Sequence, residues 1–82
     1  MGQSNIAEII KLVDELAGVS DTERQTLKKY VTQATQGDDP AKWYVMGFTY
    51  ALSQRSEANR QVVAQMMEAL HWEQEWEEAS LL

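Results

Sequence analysis

Asp39-Pro40-Ala41-Lys42-Trp43-Tyr44-Val45-Met46-Gly47-Phe48-Thr49-Tyr50-Ala51-Leu52-Ser53 is the stretch on which the fold turns. Asp39 reads as a helix cap and Pro40 as part of the first turn, where its missing N–H leaves no bond unmade. Beyond them the apolar side chains cover an unusually wide arc. One edge carries Trp43, Met46, Gly47 and Tyr50, and the other Val45, Phe48 and Leu52. Lys42, Thr49 and Ser53 mark the only clear polar strip. A helix apolar on most sides is covered on most sides, so this third helix is expected to be central in the monomer or to face a second chain. Trp43 to Leu52, interrupted only by Thr49, spans about half of the roughly 20 residues that a membrane crossing needs.

Working outward, the flanking segments also read as helices. Helix 2, from about Asp21 to Gln36, opens on the capping-box sequence Ser20-Asp21-Thr22-Glu23 and stops at Gly37. Leu27, Tyr30, Val31 and Ala34 form its narrow stripe. Helix 1, from about Ile6 to Ala17, has Asn5 as cap with Glu8 three residues on, and Gly18 as its stop. Ile6, Ile9, Ile10, Val13, Leu16 and Ala17 share one face. The turn between helices 1 and 2 is expected to be two or three residues long, which makes the two helices antiparallel. Helix 4, from about Glu57 to Glu78, starts at the Ser56 cap. Its first stripe is Val62, Val63, Met66 and Leu70, with Met67 beside it; past Leu70 the apolar positions shift sideways to Ala69, Trp72 and Trp76. A straight helix cannot set both stripes against one flat partner. No strand competes, because sustained period-two alternation and Asn-Gly or Asp-Gly turns are lacking. The expectation is an all-α, four-helix fold of two antiparallel hairpins, with Ser53-Gln54-Arg55-Ser56 either a break or the middle of one helix from Pro40 to Glu78. The whole chain, 1–82, reads as one small helical domain with frayed ends at 1–4 and 79–82.

Composition excludes more functions than it supports. The 82 residues hold 7 Lys+Arg against 13 Asp+Glu, a formal net charge of −6, with one His and no Cys. Direct nucleic-acid binding is not expected, since phosphate recognition needs clustered cations. Lys28-Lys29 with Arg24 and Lys11 is the best basic spot, and it reads as a solvated face balancing neighbouring acids. Thiolate chemistry and disulfides are absent, and no glycine-rich loop exists to cradle phosphate. His71 alone cannot supply the convergent polar groups that catalysis needs, so no enzyme and no cofactor are expected. The N-terminus shows no basic region followed by an apolar run, and Met1-Gly2 lacks the Ser or Thr of a myristoylation motif, Ile6 standing in its place. A cytoplasmic protein that does not engage a membrane is the default reading.

Three sets of residues carry functional interest. Trp72 and Trp76 lie one turn apart among Glu73, Glu75, Glu77 and Glu78, and residues 61–82 hold five acids and no Lys or Arg. Either they close the bottom of the monomer's own core or they form a contact surface, with Leu81 beside them; tryptophan is enriched at interface hot spots and the acids favour a basic partner. Trp43, Phe48 and Tyr50 on the third helix are candidates for the same surface. Glu68 and His71 have Glu-x-x-His spacing, which in helix-bundle metal proteins sets two ligands on one side of a helix, but both fall roughly opposite the Val62/Met66/Leu70 face. Met46, Met66 and Met67 sit at core spacing and read as packing before they read as a pliable groove.

Trp43-x-x-Met46-Gly47-x-x-Tyr50 resembles the first helix of a tetratricopeptide repeat, Trp-x-x-Leu-Gly-x-x-Tyr. The likeness covers about a dozen residues and implies peptide binding. It stops there: Asn59 stands near the position of the next helix's small alanine, no proline closes the unit, and nothing before residue 37 repeats the pattern. Size and acidity are also similar to those of small helical chaperones and co-chaperones of bacterial secretion systems. Together these readings lead to the expectation of a small acidic helical protein–protein interaction module (an adaptor, co-chaperone or regulator), working with a protein partner, as a homodimer, or both. Two rival expectations are an acidic nucleic-acid mimic that occupies a basic groove and a metal-binding helical dimer using Glu68 and His71.

Overall fold

The computed structural model describes residues 5–80, and the side chains of residues 6–78. Five helices follow one another with no strand among the described residues: α1 (Asn5–Asp14), α2 (Asp21–Thr35), α3 (Asp39–Ser53), α4 (Glu57–Leu70) and α5 (Glu73–Ser80). The all-α expectation holds. The first four helices form a closed ring, each packed on its neighbours in sequence and α4 packed back on α1, while α5 lies against α4. The core inside the ring is built from Ile9, Leu12, Val13, Leu16, Leu27, Val31, Val45, Met46, Leu52, Val63, Met66 and Met67. Met46, Met66 and Met67 therefore serve as packing.

Local chemistry explains most boundaries. Ser20 Oγ accepts from the Glu23 N–H, and Glu23 Oε1 accepts from the Ser20 N–H, so the expected capping box is formed. Gly37 ends α2 with φ 98°, its N–H donating to the Ala34 carbonyl and the Asp38 N–H to the Gln33 carbonyl. Those two bonds close the helix end in a Schellman turn, whose left-handed residue favours glycine. Asp38, rather than Asp39, caps α3: its Oδ1 accepts from the Ala41 N–H, which moves Pro40 one place further into the first turn. Ser56 caps α4 through the Asn59 N–H, so α3 and α4 are separate helices. The Asn5 cap, the end at 1–4 and residues 81–82 of the end expected to fray at 79–82 lie outside the described residues and side chains, whereas residues 79 and 80 still belong to α5.

Three further expectations are corrected. Helix 1 ends at Asp14, not near Ala17, and Glu15 to Ser20 form a longer connection than two or three residues. The reason is tertiary: Arg24 donates to the carbonyls of Val13, Leu16 and Val19 and takes over the end of the helix. Helix 4 is broken at His71, which adopts φ 62°, while the Trp72 N–H donates to the Met67 carbonyl. This second Schellman turn is the physical answer to the sideways shift of the apolar stripe, since a bend lets Leu70 and Trp72 both face the core. Finally, Thr49 and Ser53 are buried, and α3 turns its supposed polar strip inward. Each hydroxyl donates to a carbonyl of its own helix, Thr49 Oγ1 to Val45 at 2.7 Å and Ser53 Oγ to Tyr50 at 2.7 Å. A side chain satisfied within its own helix is buried without a lost hydrogen bond.

Asn59 joins the ring together. It is 2% exposed, its Oδ1 accepts from the Ala17 N–H, and its Nδ2 donates to the carbonyls of Ala17 and Leu52. One carboxamide thus ties the α1–α2 connection to the end of α3 and the start of α4. Leaving a buried group unpaired costs about 1–3 kcal/mol; the bond to Leu52 is buried and the two to Ala17 are partly buried. Asn59→Ala is therefore expected to lower unfolding stability by about 2–4 kcal/mol, read by urea denaturation, whereas Arg60→Ala beside it, on an exposed pair, changes little. Equal effects at the two positions are the result that contradicts this role for Asn59.

Candidate functional site

With Thr49 and Ser53 turned inward, the outer face of α3 consists of Trp43, Tyr44, Gly47, Tyr50, Ala51 and Gln54. Trp43 is 55% exposed, Tyr44 40% and Tyr50 41%. No charged residue occurs between Trp43 and Gln54 in a chain that is 24% charged. On a 3.6-residue helix Gly47 falls in the middle of this face, with Trp43 and Tyr50 along one side and Tyr44 and Ala51 along the other. A Cβ built on Gly47 meets nothing within 4 Å. The glycine therefore serves no close approach inside the molecule.

Each side of the face continues into a neighbouring helix through ring contacts. On the α2 side Tyr44 stands 4.4 Å from Tyr30 and 5.8 Å from Phe48, centroid to centroid. On the α5 side Tyr50 stands 5.7 Å from Trp76. Tilted pairs at these distances match the quadrupole preference of aromatic rings. Phe48 and Trp76 are half-buried. Trp72 is only 8% exposed and belongs to the core cluster. Of the six candidate contact residues, Trp43 and Tyr50 lie open on the face, Phe48 and Trp76 border it, Trp72 lies beneath it, and Leu81 is outside the described residues.

Lys42 fastens α5 beside this face. Its Nζ lies 2.7 Å from Glu75 Oε2, 5.7 Å from the centre of the Trp43 ring and 5.4 Å from that of Trp72. An ammonium between two indoles and a carboxylate gains both ion pairing and cation–π attraction. The hydrogen bond from Lys42 is the main reason that the Glu75 carboxyl is held below its ordinary range. A second carboxyl, Glu23, is lowered chiefly by its backbone hydrogen bond from Ser20.

The other sequence candidates are dispersed. Arg24 is taken up by the end of α1, and Lys28 pairs with Asp14 at 2.7 Å, so the supposed basic spot holds α1 and α2 together. Glu68 and His71 are exposed, and among the described residues no three His, Asp or Glu gather into a metal-sized group. The described cleft between Gly18, Glu23, Phe48, Ala51, Leu52 and Arg55 measures about 150 Å³, well below the roughly 300–1,000 Å³ of small-molecule sites. Among the described residues no helix is long and apolar enough to cross a membrane. Sequence reasoning missed Tyr44 as an exposed residue; its spacing of three from Gly47 was the available signal. No family model, curated protein or solved structure matches this chain.

The Lys42–Glu75 pair has a pH consequence. A carboxyl whose folded pKa is lowered contributes stability that is present above its unfolded pKa and is lost as the pH falls through the lowered value. Acidification below the ordinary glutamate range is thus expected to loosen α5, read as a shift of tryptophan emission before the far-UV helical signal collapses. Glu75→Gln should abolish that early step. An unchanged step in the variant assigns it to another carboxyl such as Glu23.

Proposed function

We propose that this protein acts by binding another protein, with the outer face of α3 and its border with α5 as the contact surface, and without catalysis of its own. The observation that carries the reading is the uncharged, aromatic, solvent-exposed run Trp43, Tyr44, Gly47, Tyr50 on an otherwise charged molecule. Three large aromatics on one exposed helix face are unusual, since exposed apolar area of this kind on a monomer marks interaction sites. Tryptophan and tyrosine also dominate interface hot spots.

Gly47 supports the same reading. Glycine inside a helix is less stable than alanine by roughly 0.5–1 kcal/mol, and no packing contact in the monomer offsets that penalty. A partner backbone or bulky side chain seated between the two aromatic edges uses the space that a side chain at 47 fills. The short tetratricopeptide-like run fits a peptide-binding role but carries no weight beyond those residues.

A photoreactive phenylalanine derivative at Trp43, compared with one at the exposed Gln61 on α4, tests the surface in the cell of origin. A discrete heavier adduct is expected from position 43 and none from 61. Trp43→Ala with Tyr50→Ala should lower the yield of the adduct from a third probe at Tyr44 while the far-UV spectrum stays helical. Adducts alike at both positions mean that α3 is no preferred surface. Separately, Gly47→Ala is expected to raise unfolding stability by about 0.5–1 kcal/mol in isolated protein; destabilisation means the glycine has an internal role.

A further inference from the structure

The occupant of this face has a definable chemistry. We infer that it is a cationic amphipathic helix of a partner protein, its small or apolar side lying over Gly47 and its Lys or Arg side chains reaching the carboxylates of α5. The inference rests on the reading of α3 as the contact surface and adds the partner's chemistry.

Charge decides between the occupants. The floor of the face is uncharged, and its surroundings are acidic. Asp38 and Asp39 stand at the start of α3, and α5 carries Glu73, Glu75, Glu77 and Glu78 with no Lys or Arg. Glu73 and Glu77 lie one turn apart on α5, on the same side of Trp76, the residue that meets Tyr50. Two cations flanking α3 are engaged internally: Lys42 with Glu75, and Arg55 with the Gly18 carbonyl. A second copy of the chain, itself at −6, brings the same sign of charge to the contact, whereas a basic segment is both attracted and steered.

Lys42 is the internal precedent. Its ammonium already sits against Trp43 and Trp72 with a carboxylate at 2.7 Å. Trp43 and Tyr50 keep exposed ring surface, so a partner's Lys or Arg finds the same pairing of aromatic ring and carboxylate from outside. A helix suits the shape, because apolar residues spaced three and four apart follow a groove between two rows of side chains.

Fluorescence anisotropy with designed probes tests this. The probes are a labelled amphipathic helix of Leu, Ala and Lys, the same helix with every Lys replaced by Glu, and a Leu/Ala/Lys peptide of scrambled order. The cationic helix is expected to bind about tenfold or more tightly than either control, and more weakly as salt is raised. Gly47→Leu and the pair Trp43→Ala with Tyr50→Ala should each weaken binding about tenfold, with helicity intact. Nothing lies within 4 Å of a Cβ at Gly47, so the first carbon of the new side chain enters open space. Glu73→Gln with Glu77→Gln should flatten the salt dependence.

Equal or tighter binding of the Glu peptide overturns the cationic chemistry; if Gly47→Leu still blocks that binding, α3 remains the contact surface. Binding of the Lys helix that ignores every α3 variant overturns the site as well. Failure of all three peptides to bind overturns the inference. So does a concentration-dependent dimer in light scattering that Gly47→Leu dissolves, since the occupant is then a second copy.

Discussion

The buried carboxamide of Asn59 is the interaction on which the arrangement depends. Four helices in a ring need a closure, and the last to join, α4, meets α1 at the place where α1 has already ended. The backbone there has an orphan N–H and an orphan carbonyl at Ala17, and the end of α3 adds the carbonyl of Leu52. Asn59 supplies one acceptor and one two-proton donor, and satisfies all three groups. An apolar residue at this position leaves those groups without their protein partner, with the greatest loss at the buried Leu52 carbonyl. Arg24 does the parallel task from α2, collecting the carbonyls of Val13, Leu16 and Val19. Two polar side chains thus replace the backbone bonds that a longer helix 1 makes for itself.

The orientation of α3 follows from a similar economy. A helix with aromatics, aliphatics and hydroxyls on different sides can be turned in more than one way. Burying Val45, Met46 and Leu52 together sets the inward direction, and that direction includes Thr49 and Ser53. Because both hydroxyls bond to their own helix, they enter the core without partners from other elements. The rotation that buries them is the one that leaves Trp43, Tyr44 and Tyr50 outside. The exposed aromatic face is therefore coupled to the inside of the core, through the helical period, and is no isolated surface accident.

Most helix ends were readable where a cap uses neighbours in sequence: Ser20 with Glu23, Gly37, and Ser56 all behave as their local chemistry demands, and the α3 cap was displaced by one residue, from Asp39 to Asp38. Readings failed where a distant group decides. The end of α1 depends on Arg24 and Asn59, which no inspection of residues 5–18 reveals. His71 in a left-handed conformation is also illegible locally, because that geometry is uncommon for a non-glycine residue. Yet the sequence did record the strain: the stripe that slides from Leu70 to Trp72 and Trp76 is the pattern of two helix axes. The candidate surface was half legible. Trp43 and Tyr50 were identifiable from their spacing, whereas Trp72, chosen on the same chemical grounds, went to the core because the bend at His71 turns it inward.

Charge completes the relation between fold and function. The formal value of −6 is an average over a molecule that uses four of its seven Lys and Arg internally. Arg24 and Arg55 hold backbone carbonyls, Lys28 holds Asp14, and Lys42 holds Glu75. α5 itself carries four carboxylates and no Lys or Arg, and negative charge at a helix C-terminus is itself unfavourable. Such a helix is weak alone. Its attachment through Trp72, Trp76 and the Lys42–Glu75 pair keeps a concentrated negative field beside an uncharged aromatic face. In the complex proposed above, a cationic partner would relieve the repulsion within α5, which would give the acidic helix and the bare Gly47 a common physical reason.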